Sequence, residues 1–167
     1  VFMMVRHTRA EEESERAELI RSAPVGRHAQ LAAALAGTLA ANAVVDVSIV
    51  VAFVARDLPL TGSVAFACAL FGAGAVCAAL AAIAAQVTAG ARSAIGLATA
   101  LIAVSFVLRA IGDVGDGRLS WLSPIGWAQA IRAFADERWW VLVLPIVAAA
   151  GGMALAVSLQ MRRDLGA

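Results

Sequence analysis

Four long stretches of this chain are almost free of charge, and that constrains its fold more than any motif it carries. They run from about Leu31 to Ala55, from Leu60 to Ala85, from Ser93 to Leu108 or on to Ile111, and from Trp139 to Met161. A helix rises about 1.5 Å per residue, so about 20 apolar residues match the hydrocarbon thickness of a bilayer. Backbone groups in hydrocarbon must be satisfied internally, and for runs of this length the helix is the element that does so. Composition agrees: 62% hydrophobic residues, 15% charged residues and a mean hydropathy of +0.85 lie outside the range of soluble globular domains. The expected fold class is an all-α integral membrane protein with about four transmembrane helices.

The charged stretches between the spans give the layout. VFMMV, followed at once by Arg6 and His7, reads as the end of a preceding transmembrane helix over residues 1–6, which suggests a piece of a longer protein. Residues 7–27 read as a soluble helix. Thr8 and Glu11 form a capping box, Glu11, Glu12 and Glu13 sit where the helix dipole favours negative charge, and Arg9–Glu13 and Glu12–Arg16 are opposite-sign pairs one turn apart. Pro24 and Gly26 end it. Its thin apolar side, Ala10, Ala17 and Ile20, is too small to enter lipid but can touch a partner; a solvated linker is the plain alternative. Residues 28–85 form a transmembrane hairpin turning at Arg56, Asp57 and Pro59. Its second span carries Gly74, Ala78 and Ala82 at four-residue spacing, a small face that admits a close helix, though in an Ala-rich chain it also has a purely compositional reading. Residues 86–92, QVTAGAR, are a polar link. The third span, 93–111, is short unless Arg109 snorkels. Residues 139–161 are the last span and 162–167 a basic tail.

Residues 112–138 are unusual. Gly112, Gly115 and Gly117 with Asp113 and Asp116 make a turn-prone loop, then an apolar cluster follows, broken by Pro124, and Ala128 to Phe134 reads as one or two amphipathic turns. All four tryptophans lie between Trp121 and Trp140. Tryptophan favours the headgroup level, where its ring is half apolar and its N–H reaches water. Too short and polar to cross, the stretch is expected to be an interfacial or re-entrant helical hairpin. With four crossings, the N-terminal helix, the link and the tail share one side, with eight Arg against five on the other. The positive-inside rule places that side in the cytoplasm and the Trp-rich stretch outside.

Little in the chain suggests catalysis. All 13 basic residues are Arg, so no Walker A lysine is available. His7 and His28 are the only histidines, and neither metal-ligand spacing nor a nucleophile constellation is present. A net charge of +1 without a basic aromatic patch gives no reason to expect nucleic acid. Cys68 and Cys77 lie about 13.5 Å apart along one helix and point to different sides, so they read as small buried apolar residues. Asp46 is the one acid in mid-span. Such a residue is by default a candidate for a proton or substrate site; it also has a packing reading, hydrogen-bonded to Asn42 or Ser48.

The helix EEESERAELIRSAPVGR, the spans, the stretch LSWLSPIGWAQAIRAFADERWW and the exit RRDLGA together resemble the ABC-2 type exporter permeases, nearest to the polyketide-antibiotic exporter subgroup associated with tetronasin resistance. LSPIGWAQ and ERWW are the most specific parts of a resemblance that covers nearly the whole chain. It implies a bacterial plasma-membrane permease of two six-helix halves, this chain being the later part of one, with both ends of the segment cytoplasmic. It implies that Glu11, Glu12, Arg16, Leu19 and Arg21 lie on a coupling helix that docks a separate ABC ATPase subunit, and that QVTAGAR makes a smaller second contact. Trp121, Pro124, Trp127, Trp139 and Trp140 would belong to the external gate. The chain itself would bind no cofactor, with ATP and magnesium on the partner subunit. Its other partners would be a second permease half, membrane lipid and a lipophilic, antibiotic-like cargo. Glu15 departs from the glycine common at that place in relatives, which touches the docking detail only. Two other functions remain open: a proton-coupled secondary transporter using Asp46, and a membrane scaffold that moves nothing.

Overall fold

A computed structural model describes residues 29–88 and 90–164, and among these it is all helix and connection, with no strand. The helices are α1 (Ala29–Val54), α2 (Leu60–Val87), α3 (Ala91–Val114), a short α4 (Pro124–Ala130) and α5 (Val143–Asp164). Two 3-10 turns, Arg118–Leu122 and Trp139–Leu142, flank α4 and lead into α5. Four helical stretches are long and apolar enough to cross a membrane: Leu31–Val54, Leu60–Val87, Ala91–Val114 and Trp139–Arg162.

The α1–α2 reversal shows how local chemistry sets the topology. Asp57 takes a left-handed φ of 60°, the Leu58 N–H donates to the Phe53 carbonyl and the Asp57 N–H to that of Val54. This is a Schellman close with Asp in the place glycine usually holds, and Pro59 directly after it prevents the helix from resuming in the same direction. The next connection is shorter than the expected link over 86–92. Gln86 and Val87 continue α2 until the Thr88 N–H and hydroxyl both return to the Ala84 carbonyl, and α3 opens at Ala91 after Gly90. At its other end α3 runs through Gly112, where a loop is expected, and stops at Gly115. It is therefore longer than the span predicted over 93–111.

α2 is the axis of the structure. The buried residues of α2 are almost all Ala and Gly, and neighbours line both of its sides. At the link end Ala78, Ala81, Ala82 and Ala84 of α2 meet Leu31, Ala34 and Leu35 of α1, Ala94 and Ala98 of α3, and Ala156 of α5. Farther along, Ala75 and Val76 pack on Ala149 of α5. At the opposite end Ala65 and Ala69 pack on Ile131 and Val141 from the region around α4. Lipid tails are as apolar as these side chains, so burial from water does not drive such contacts; close backbone approach and dispersion do. A Cβ at Gly74 would overlap the Asn42 amide of α1, and one at Gly152 of α5 would stand 2.9 Å from the Ala79 methyl. The four-spaced small face of α2 is thus the surface on which α1 lies. Large apolar side chains point outward instead, among them Val44, Val47 and Val51 on α1, Phe106 and Val107 on α3, and Ile146 and Val147 on α5.

Candidate functional site

Between α3 and α5 the chain folds into a cap over one end of the helices. Pro124 does not break the apolar cluster, as its sequence context suggests, but begins α4: it occupies the first helical turn, where its missing N–H is not needed. Ser123 precedes it as the N-cap, and the Trp127 N–H closes the first turn on the Ser123 carbonyl at 3.0 Å. The helix ends at Ala130, so the amphipathic turns expected over Ala128 to Phe134 begin earlier and give way to a loop.

The cap brings three of the four tryptophans together. Trp121 stacks on Trp140 with centroids 5.9 Å apart and planes 16° from parallel. The Trp127 indole N–H donates to the Trp121 carbonyl at 2.6 Å. Trp139, at the start of the second 3-10 turn, is the fourth; its ring is exposed and lies outside this stack. Pro124 is buried. Exposed Trp121, Trp139 and Trp140 beside a partly buried Trp127 with its N–H satisfied suit the level where hydrocarbon gives way to water.

Polar bonds tie the cap to α3. The Arg109 guanidinium pairs with Asp113 one turn on at 2.6 Å, and its Nε–H donates to Gln129 Oε1 of α4 at 2.9 Å. The Ser120 hydroxyl lies 3.3 Å from both the Arg109 carbonyl and Asp113 Oδ1, to either of which it donates. Gly126 makes room for this arrangement, because a Cβ there would collide with the Ser120 carbonyl. Arg109 therefore serves as a strut between α3 and the cap. The four-residue spacing of Arg109 and Asp113 was a visible signal of their pairing; nothing in the sequence pointed to Gln129 or Ser120.

A second tie reaches α1 and α2. Arg132, Phe134 and Asp136 all adopt left-handed φ, at 55°, 67° and 61°, inside a loop that the Arg138 N–H closes on the Ile131 carbonyl at 2.8 Å. Such a conformation is unfavourable for a bulky residue and persists only where surrounding contacts hold it. Here Ile131 and Val141, both fully buried on α2, fix the two ends. The loop delivers the Phe134 ring onto Gly62 of α2 and to within 5.9 Å of the Phe53 ring of α1, which itself meets Phe66 at 5.3 Å.

Asp46 lies away from the cap, buried in the α1–α2 contact, and one carboxylate oxygen has no hydrogen-bond partner. The expected bond to Ser48 is not made: the Ser48 hydroxyl donates to the Val44 carbonyl at 2.7 Å instead, its ordinary bond back along the helix. The Asn42 amide is seated against Gly74. Cys68 and Cys77 are both free and half-buried, rather than fully buried. Among the described residues no group of His, Cys, Asp and Glu could hold a metal ion. Glu11, Glu12, Arg16, Leu19 and Arg21, the expected docking residues, lie outside the described residues.

Fold and site together define a multi-pass helical membrane segment closed at one end by an aromatic, hydrogen-bonded cap. Over all 167 residues the chain is 46% identical to a protein of Mycobacterium tuberculosis (strain ATCC 25618 / H37Rv) named multidrug efflux system permease protein Rv1217c. The match takes in 100% of this chain and 30% of that relative, so the chain spans about a third of its length. No protein-family model matches the chain.

Proposed function

We propose that this chain is a transmembrane part of an ATP-driven exporter permease of the ABC-2 type, which moves a lipophilic or amphiphilic compound out of a bacterial cell. The observation that carries the reading is similarity, from first residue to last, to a segment of a protein named as a multidrug efflux permease. Four membrane-length helices and a capped end suit that role. The sequence pattern favours the polyketide-antibiotic subgroup, with a role in antibiotic resistance.

In this reading the chain supplies no chemistry. A separate ABC ATPase binds ATP and magnesium, and Glu11, Glu12, Arg16, Leu19 and Arg21 dock it. Its closure moves α1 and α2 as rigid bodies toward an outward-open state. The cap is external, and Trp121, Pro124, Trp127, Trp139 and Trp140 anchor it at the outer interface, where it closes the pathway between cycles. The eight Arg of the opposite side face the cytoplasm. A second permease half completes the pathway.

The test is purification of the full-length parent protein from detergent, alone and with Glu12, Arg16 and Leu19 together changed to Ala. An ATPase should co-purify with the parent and be lost from the triple variant while the helical content is kept. If no ATPase accompanies either protein, and if an uncoupler rather than ATP depletion stops export, the ABC reading is wrong.

A further inference from the structure

Asp46 is 6% exposed, and its Oδ2 has neither a hydrogen-bond donor nor an ion-pair partner. It lies about 12 Å from the capped end of the span Leu31–Val54, taking the helical rise per residue. Every other described Asp, Glu and Arg stands in a connection or within the first or last two turns of a helix, so no described guanidinium neutralises it. A carboxylate in low dielectric without a counter-charge takes up a proton or takes a cation from outside. Its side of α1 faces α2, so a basic side chain on some further helix could reach it only by parting these two.

The surroundings favour a ligand over a permanent partner. Asn42, one turn away on the same face of α1, gives a second polar group, and it sits against Gly74, where α2 offers no side chain. α1 is held chiefly by α2, and Val44, Val45, Val47 and Val51 around Asp46 are all exposed. Separation of α1 from α2 therefore uncovers one carboxyl and one amide in an otherwise apolar cleft. That combination suits a bulky apolar body carrying one delocalised positive charge, since such an ion loses less hydration than a compact cation on entering hydrocarbon and pairs with the Asp46 carboxylate at a smaller desolvation cost.

We propose that Asp46, with Asn42, is a binding site for lipophilic cations, opened when α1 parts from α2. This rests on the exporter reading for its biological use and names a class of cargo for it. When the cation arrives the carboxyl releases its proton to water, so the charge in the cleft rises by no more than the ligand neutralises.

The experiment is equilibrium binding to the full-length parent protein in detergent, with tetraphenylphosphonium and tetraphenylborate as probes of one shape and opposite charge. Saturable phosphonium binding is expected, weakened about tenfold in Asp46→Asn, with Asp46→Glu nearer the parent; the borate ion should bind Asp46→Asn at least as well as the parent. Equal phosphonium affinity in parent and Asp46→Asn, absence of saturable binding, or parallel loss of both ions would overturn the proposal. Failure of the exporter reading is seen separately: ATP-dependent efflux would be missing while the charge-selective binding stands.

Discussion

Alanine at position 62 should be costly only while phenylalanine stands at 134. A Cβ on Gly62 would enter the volume of the Phe134 ring, which the closed loop and the Phe53 ring keep from moving aside freely. Forcing one extra methyl into such a contact costs about 1–3 kcal/mol. The Phe134 ring is 39% exposed, so Phe134→Ala should lose rather more than half of the roughly 3–5 kcal/mol typical of a fully buried ring, or about 2 kcal/mol. If the two effects were independent, the double variant would lose about 4 kcal/mol; with the ring gone the new methyl meets only space, and the expected loss is about 2 kcal/mol. Unfolding of the full-length parent in mixed micelles at rising SDS, followed by tryptophan fluorescence, gives all four free energies. Additivity within about 0.5 kcal/mol would refute the claim that Phe134 is seated on Gly62. Phe134→Gly supplies a check on the backbone, because glycine relieves the left-handed φ of 67° that alanine must keep. Gly should therefore be the better tolerated of the two by about 1 kcal/mol.

Ser123→Ala should be neutral or stabilising by up to about 1 kcal/mol in the same assay, since the buried hydroxyl has no partner and makes no cap bond. Trp127→Phe removes the donor to the Trp121 carbonyl and should cost about 1 kcal/mol, with a change in emission from the remaining tryptophans. Arg109→Met should cost about 1 kcal/mol through loss of the Gln129 bond and of a half-exposed pair with Asp113, and should raise proteolysis in the cap while leaving the spans intact. Gly74→Leu should cost at least about 3 kcal/mol by prising α1 from α2 at Asn42, read as loss of a folded peak in size-exclusion chromatography.

The spans were legible because length and hydropathy leave a membrane helix few alternatives, and the α1–α2 turn because Asp57 and Pro59 each limit the backbone in a known way. The small face of α2 was legible from the spacing of Gly74, Ala78 and Ala82. Asp46 stood out by charge alone, but its surroundings did not: Ser48 and Asn42 are near it in sequence, and the helix assigns the one to the Val44 carbonyl and the other to Gly74. In sequence Pro124 looks like a break, because a proline inside an apolar run ends a helix as readily as it begins one, and only Ser123 before it distinguishes the two. The Phe134 seat was invisible, since a phenylalanine in a polar loop and a glycine at the start of a distant span carry no mutual signal until the chain has closed. Residues 7–27, where the sequence predicts a coupling helix, lie outside the described residues, and that expectation rests on the capping box, the charge pattern and the family resemblance.

The seat of Phe134 on Gly62 also bears on how the chain is made. α1 and α2 precede Phe134 in the chain, so the notch at Gly62 stands vacant until the cap has been made. Val141, which shares the buried contact with Ile131, comes later still. The capped end therefore closes only after both helices that frame the notch have been made, and a chain truncated before Phe134 would leave the notch open between α1 and α2.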